Sequence, residues 1–88
     1  MFLHLGENTV ISTENLIGIF DMDNTTVSKT TRDYLTKMQK DKKIVDVSYD
    51  IPKSFILCRD KETGEDVVYI SPISTQTLLK RINNSKID

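Results

Sequence analysis

A single cysteine, Cys58, and a single histidine, His4, stand in a sequence of 88 residues that has no tryptophan. One cysteine excludes an intramolecular disulfide and fits a reducing compartment. One histidine and the lack of any C-x-x-C pair exclude a zinc site of the usual kind. No apolar run approaches the ~20 residues that span a bilayer. The opening Met1-Phe2-Leu3-His4-Leu5 carries no basic stretch and is too short for a signal peptide. These absences predict a cytoplasmic protein with no metal, no cofactor and no membrane association.

The hydrophobic fraction of 38% and charged fraction of 28% match an ordinary globular domain. Domains usually run to about 100 to 150 residues, so 88 residues predict one domain with a modest core. Small cores often gain stability by self-association, which predicts a homo-oligomer. The net charge of −1 favours neither nucleic acid nor membrane, but its distribution is uneven. Residues 1–28 hold Glu7, Glu14, Asp21 and Asp23 and no lysine or arginine. Residues 29–43 hold Lys29, Arg32, Lys37, Lys40, Lys42 and Lys43 against Asp33 and Asp41. Such focusing creates a local positive field in a near-neutral chain.

There is no internal repeat or low-complexity tract. Phe2–Leu5 and Thr9–Ser12 read as the arms of a hairpin around Gly6-Glu7-Asn8, where glycine and asparagine tolerate positive φ. The run Leu16-Ile17-Gly18-Ile19-Phe20 reads as a strand buried on both faces. Gly18 within it implies close approach of another group. Ser28 is a candidate N-cap. Thr31, Tyr34, Leu35 and Met38 mark one face of an amphipathic helix, with Asp33 and Lys37 as a favourable i, i+4 pair. Ile44–Val47 is a further strand. Ser54–Cys58 and Asp66–Ile70 form a hairpin through Glu62-Thr63-Gly64. Ser74 or Thr75 caps a last helix with Leu78, Leu79 and Ile82 apolar. The expected fold is α+β: a small sheet of about five short strands with two helices, one domain over residues 1–82 and a frayed tail over 83–88.

One motif invites an enzymatic reading. Ile17 to Phe20 followed by Asp21-Met22-Asp23-Asn24-Thr25 resembles the first motif of haloacid-dehalogenase-type phosphatases. That resemblance implies Asp21 as nucleophile, Asp23 as general acid and base, and a magnesium ion between them. The family also needs a lysine and a downstream acidic pair at the end of a parallel strand. Here Glu65 and Asp66 precede a strand, and Lys53 and Lys61 lack the matching context. The simpler reading makes Asp21 to Thr25 a strand-to-helix turn held by side-chain hydrogen bonds to the backbone, with no catalytic residue.

A second resemblance covers residues 1–82. It is carried by Phe2-Leu3-His4-Leu5-Gly6, by Gly18 to Lys29, by Thr31-Arg32-Asp33-Tyr34-Leu35, by Pro52-Lys53-Ser54-Phe55 and by Tyr69-Ile70-Ser71-Pro72-Ile73-Ser74. Together these strings resemble the RemA/RemB family of bacterial extracellular-matrix regulators, on its RemB-like side. The resemblance implies a cytoplasmic regulator of matrix and biofilm genes. On the RemA side it implies a DNA-binding transcription activator whose subunits close into a ring. RemA-like proteins carry an arginine before the central apolar strand and an arginine pair before the later hairpin. Asn15, and Ile51 with Pro52, stand at those positions here, while Lys53 survives beside the second. Phosphate contacts are then expected from Lys29, Arg32, Lys37, Lys40, Lys43 and Lys53.

Each feature also has a plainer reading. The Lys29–Lys43 cluster is equally a solvated helix face. Lys80 and Arg81 are equally ordinary charges of a last helical turn. His4 reads as packed or interfacial and Cys58 as a buried structural thiol. Tyr34, Tyr49 and Tyr69 read as core and rim residues. Three functions compete: a homo-oligomeric regulator that binds double-stranded DNA, an interaction protein of the same fold that binds protein partners such as a paralogous regulator and not DNA, and, more distantly, the phosphatase.

Overall fold

The computed structural model describes residues 1–22 and 28–85. Asp23, Asn24 and Thr25 of the acidic turn lie outside them, as do residues 86–88 of the expected tail. The elements are β1 (Phe2–Gly6), β2 (Thr9–Ser12), a 3-10 turn (Thr13–Asn15), β3 (Leu16–Asp21), α1 (Lys29–Lys40), β4 (Ile44–Asp46), β5 (Ser54–Arg59), β6 (Asp66–Ser71) and α2 (Thr75–Ser85). The fold is α+β with two helices. Among the described residues it has six strands, one more than the five or so expected, divided between a two-stranded sheet and a four-stranded sheet of order β3-β5-β6-β4. Residues Asn83 to Ser85 belong to α2.

The sheet separates two apolar clusters, because alternate residues of a strand face opposite sides. Phe55 and Val68 face α1 and enclose Met38, with Tyr34, Leu35, Ile44, Leu57 and Ile70 packed around them. Ile56 and Cys58 face the other way and meet Leu3, Leu5 and Ile11 of the β1–β2 hairpin and Leu78 of α2. The result is three layers: α1, the four-stranded sheet, then the hairpin with α2. β3 is antiparallel to β5, β5 to β6, and β4 is parallel to β6. β3 and β4 therefore run the same way, and α1 is the crossover between them.

Local chemistry sets the element ends. The Ser28 hydroxyl oxygen accepts the Thr31 amide at 3.2 Å and starts α1. Ser74 does the same for Thr77 at the start of α2. At the end of α1, Lys43 N–H donates to the Met38 carbonyl and Lys42 N–H to that of Gln39. This is a Schellman closure, in which Lys42 takes φ +59 where glycine is usual. The β1–β2 turn places positive φ on Gly6 and Glu7, and not on Asn8. His4 is exposed rather than packed. Its Nε2–H donates to the Glu7 carbonyl at 2.7 Å and holds that turn.

The apolar run Leu16–Phe20 is not buried on both faces. Among the described residues β3 is an outer strand paired only with β5, and its register shifts between Leu16 and Gly18 so that Ile17 bulges outward. Gly18 does mark a close approach: a Cβ there would lie 2.8 Å from the Phe20 ring. That ring stacks on Phe55 at a centroid separation of 4.9 Å. Two further expectations shift in detail. Asp33 pairs with Lys29 at 3.6 Å, not with Lys37. Leu79 turns outward while Leu78 is fully buried.

Candidate nucleic-acid interface

The buried face of α1 fixes its outer face. With Tyr34, Leu35 and Met38 against the sheet, the helical period puts Lys29, Asp33 and Lys40 on the opposite ridge, with Arg32 and Lys37 on its flanks. All five are exposed. The helix has 12 residues, a rail about 18 Å long. The Schellman closure then adds Lys42 and Lys43 directly beyond its C-terminal end.

The six expected phosphate contacts do not form one compact patch. Lys37, Lys40 and Lys43 gather at the C-terminal end of α1, joined by Lys42. Lys29 lies at the opposite end. So does Lys53, whose carbonyl accepts the Met22 amide just beyond β3 and whose own amide donates to Ser71. Arg32 lies between. Their free charge also differs. Lys29 is paired with Asp33, an exposed contact of little energetic weight. Lys43 lies 4.0 Å from Glu65 on the β5–β6 turn. Arg32, Lys37, Lys40 and Lys42 make no ion pair among the described residues. Of the C-terminal charges, Arg81 donates to the His4 carbonyl at 2.9 Å and ties α2 to β1.

The basic end of α1 is anchored by a network that sequence reading missed. Arg59 grips Asp66 through Nε at 2.7 Å and a second guanidinium N–H at 3.2 Å. Tyr34 O–H donates to the same carboxylate at 3.3 Å. The Arg59 hydrogen bonds hold the Asp66 carboxyl below the usual carboxylate range. Burial, with Asp66 beside it, pushes the Tyr34 phenol up. The helix is thereby fastened to the base of the β5–β6 hairpin next to Lys43. Arg59 and Asp66 are cross-strand partners, a signal that appears only once the hairpin register is known.

Cys58 and Asp21 are the remaining candidates. Burial pushes the Cys58 thiol up to about 11, so it stays protonated and inert near neutral pH. Asp21 ends β3, whose pairing neighbour β5 runs antiparallel. Among the described residues a single parallel crossover, β3–α1–β4, is present, where the phosphatase architecture needs several. No group of three or more histidine, cysteine or acidic residues able to hold a metal occurs among the described residues. Among them, too, no helix is long and apolar enough to cross a membrane.

Comparison with known proteins shows the family. Residues 2–82 match the RemA-like family model, described as extracellular matrix regulatory protein A-like. The chain is 36% identical over 81 residues to extracellular matrix regulatory protein B of Bacillus subtilis (strain 168), covering 92% of this chain and 89% of that protein. A match over nearly the whole length, with a relative this similar on the B side, makes the chain a member of the RemA-like family of bacterial extracellular matrix regulators, RemB-like within it.

Proposed function

We propose that this protein is a cytoplasmic, non-enzymatic transcription regulator that works as a homo-oligomer and contacts duplex DNA through its phosphates. The observation that supports this reading is the set of cations Arg32, Lys37, Lys40 and Lys42, exposed along α1 and its closing turn without ion pairs among the described residues. Lys29 and Lys53 extend the contact toward the other end of the helix. Cations without protein partners are free to displace counterions from DNA, which is the main source of sequence-independent affinity. The net charge of −1 makes a single copy a weak binder, so repeated copies must supply avidity.

The test is a fluorescence-anisotropy titration of purified protein into labelled duplex at two salt concentrations. If all four cations make contact, log K falls against log salt with a slope of about −4 per copy. Lys40→Glu should weaken binding and flatten that slope. Lys43→Glu is less clean, because it sets a second acid beside Glu65. No binding at low salt would remove the DNA reading.

A second reading has its own support. Where RemA-like relatives are expected to carry arginines, this chain has Asn15, Ile51 and Pro52. Ile51 and its neighbour Tyr49 are exposed apolar side chains, better suited to a protein surface than to phosphates. On this reading the fold binds a protein partner such as a paralogous regulator. A failed DNA titration together with retention of a tagged paralogue from the same cell would favour it.

A further inference from the structure

We infer that the β4–β5 loop and the cleft beside it form a docking surface for a cationic segment of another protein, an extended stretch in which arginine or lysine alternates with apolar residues. The inference rests on the protein-partner reading given above and supplies the chemistry of that partner. It starts from two large side chains that the fold leaves unburied: Tyr49 is wholly exposed and Ile51 is 82% exposed. Asp50 N–H donates to the Ser48 hydroxyl oxygen at 3.1 Å, a local turn that projects the residue between them. Pro52 then restricts the backbone at Ile51. Beside Tyr49 opens a cleft of about 450 Å³, lined by Glu7, Asp46, Val47, Ser48 and Tyr49 itself. Val47 is buried, and its amide donates to the Ile70 carbonyl at 3.0 Å. The β1–β2 turn closes against it, since a Cβ on Gly6 would lie 3.3 Å from a Val47 methyl. His4 holds the Glu7 backbone at 2.7 Å. The cleft is therefore formed in advance, which lowers the ordering cost of binding.

Charge decides what the surface takes. Glu7 and Asp46 line the cleft and Asp50 follows Tyr49, while no lysine or arginine lines it. None of these three carboxylates makes an ion pair among the described residues. Their summed field repels phosphates and attracts cations, so this face is unsuited to DNA. The exposed face of the Tyr49 ring adds a cation–π site, best filled by arginine. Ile51 adds an apolar contact, and tyrosine and arginine are the side chains that most often dominate protein interfaces. A second copy fits less well. The chain's own cations gather on α1, where no large apolar side chain is exposed. On α2 exposed Leu79 has Lys80 beside it, but Arg81 is engaged by the His4 carbonyl. A different protein whose cations and apolar residues alternate satisfies both halves of the surface at once.

The test titrates the full, nucleic-acid-free chain into three fluorescein-labelled synthetic peptides of equal length: alternating arginine and leucine, arginine and serine, and glutamate and leucine. The arginine–leucine peptide should bind saturably and more weakly as salt rises. The arginine–serine peptide should bind several-fold more weakly, and the glutamate–leucine peptide not at all. Amide NMR shifts should gather at Glu7 and residues 46–51. Tyr49→Ala, at a side chain too exposed to affect folding, should weaken binding several-fold with far-UV circular dichroism unchanged. So should Glu7→Gln combined with Asp46→Asn. Glu62→Gln, in the β5–β6 turn toward the other end of β4, should change nothing. Failure of the arginine–leucine peptide to bind, equal binding of the arginine–serine peptide, or indifference to the Tyr49 and Glu7–Asp46 variants would each overturn the inference. So would a loss of DNA affinity in Tyr49→Ala. If the peptide fails while a tagged paralogue is still retained, the inference falls and the protein-partner reading stands. If the peptide seats in the cleft and no paralogue is retained, the inference stands and the paralogue is not the partner.

Discussion

The Ser71 hydroxyl donates to the Leu5 carbonyl at 2.6 Å, joining residues 66 positions apart in the chain. Both residues are fully buried. The same hydroxyl oxygen accepts the Ile73 amide at 3.0 Å. On the facing strand Ser54, the register partner of Ser71, donates to the Ile73 carbonyl at 2.7 Å. Two serines inside apolar strands thus hold the hairpin layer to the sheet.

Ser71→Ala should therefore cost more than an ordinary hydrogen bond. It leaves the Leu5 carbonyl and the Ile73 amide without their partner, and an unsatisfied buried polar group costs about 1–3 kcal/mol. Urea denaturation should show that loss as a lower midpoint with an unchanged slope. Amide exchange should quicken first in β1 and β2, since those strands lose their tie. Equal loss of protection in α1 would show that the bond is not what holds the hairpin.

Lys42 should respond in opposite directions to two measurements. Its left-handed backbone costs about 1–2 kcal/mol in a residue with a Cβ, and glycine relieves most of that. Lys42→Gly should raise the denaturation midpoint. If the DNA reading holds, the same change removes one phosphate contact and reduces the salt slope by about 1. A more stable variant with unaltered DNA affinity would take Lys42 out of the interface while leaving the helix-closure argument intact.

The Asp66 carboxyl links stability to acid pH. Its folded-state pKa is lowered, first by the hydrogen bonds from Arg59. A depressed carboxylate contributes stability that is present above its unfolded pKa of roughly 4 and is lost as pH falls through the lower folded value. Thermal midpoints measured from pH 6 downward should fall through that acid window. Asp66→Asn should lower stability at neutral pH and flatten the acid limb. An unchanged acid limb in that variant would assign the pH dependence to other carboxylates.

Much of this fold is legible in the sequence because its signals are periodic. The spacing of Thr31, Tyr34, Leu35 and Met38 places α1 and its buried face, and the turn at Gly64 sets the β5–β6 hairpin, with φ +74 at that glycine. The run Leu16–Phe20 is different. Continuous apolarity announces a strand but does not say where in the sheet it lies. That depends on α1 covering the middle of the sheet and leaving the β3 margin open, which is a tertiary outcome. The candidate site follows the same division. Its cations are named one by one from charge spacing, but their separation into two groups depends on the direction of the β3–α1–β4 crossover. The Arg59–Asp66–Tyr34 anchor needs a strand register and a helix placement at once, and no local pattern carries both.

Gly18 offers a test of how that open margin is organised. A Cβ at this position would sit 2.8 Å from two atoms of the Phe20 ring, so the ring must swing away from Phe55. Losing the stack costs about 0.5–1.5 kcal/mol. Replacing a strand glycine with alanine returns roughly 0.5–1 kcal/mol of backbone entropy. Gly18→Ala should therefore change stability by less than about 1 kcal/mol, the difference between these two terms. The ring-current shifts that Phe20 imposes on Phe55 should vanish from the NMR spectrum. Because Phe20 also forms one wall of the groove between α1 and the sheet, its displacement should reshape that groove with only this small change in folding. Phe55 shifts unchanged in Gly18→Ala would show that the backbone gives way and the ring stays stacked on Phe55.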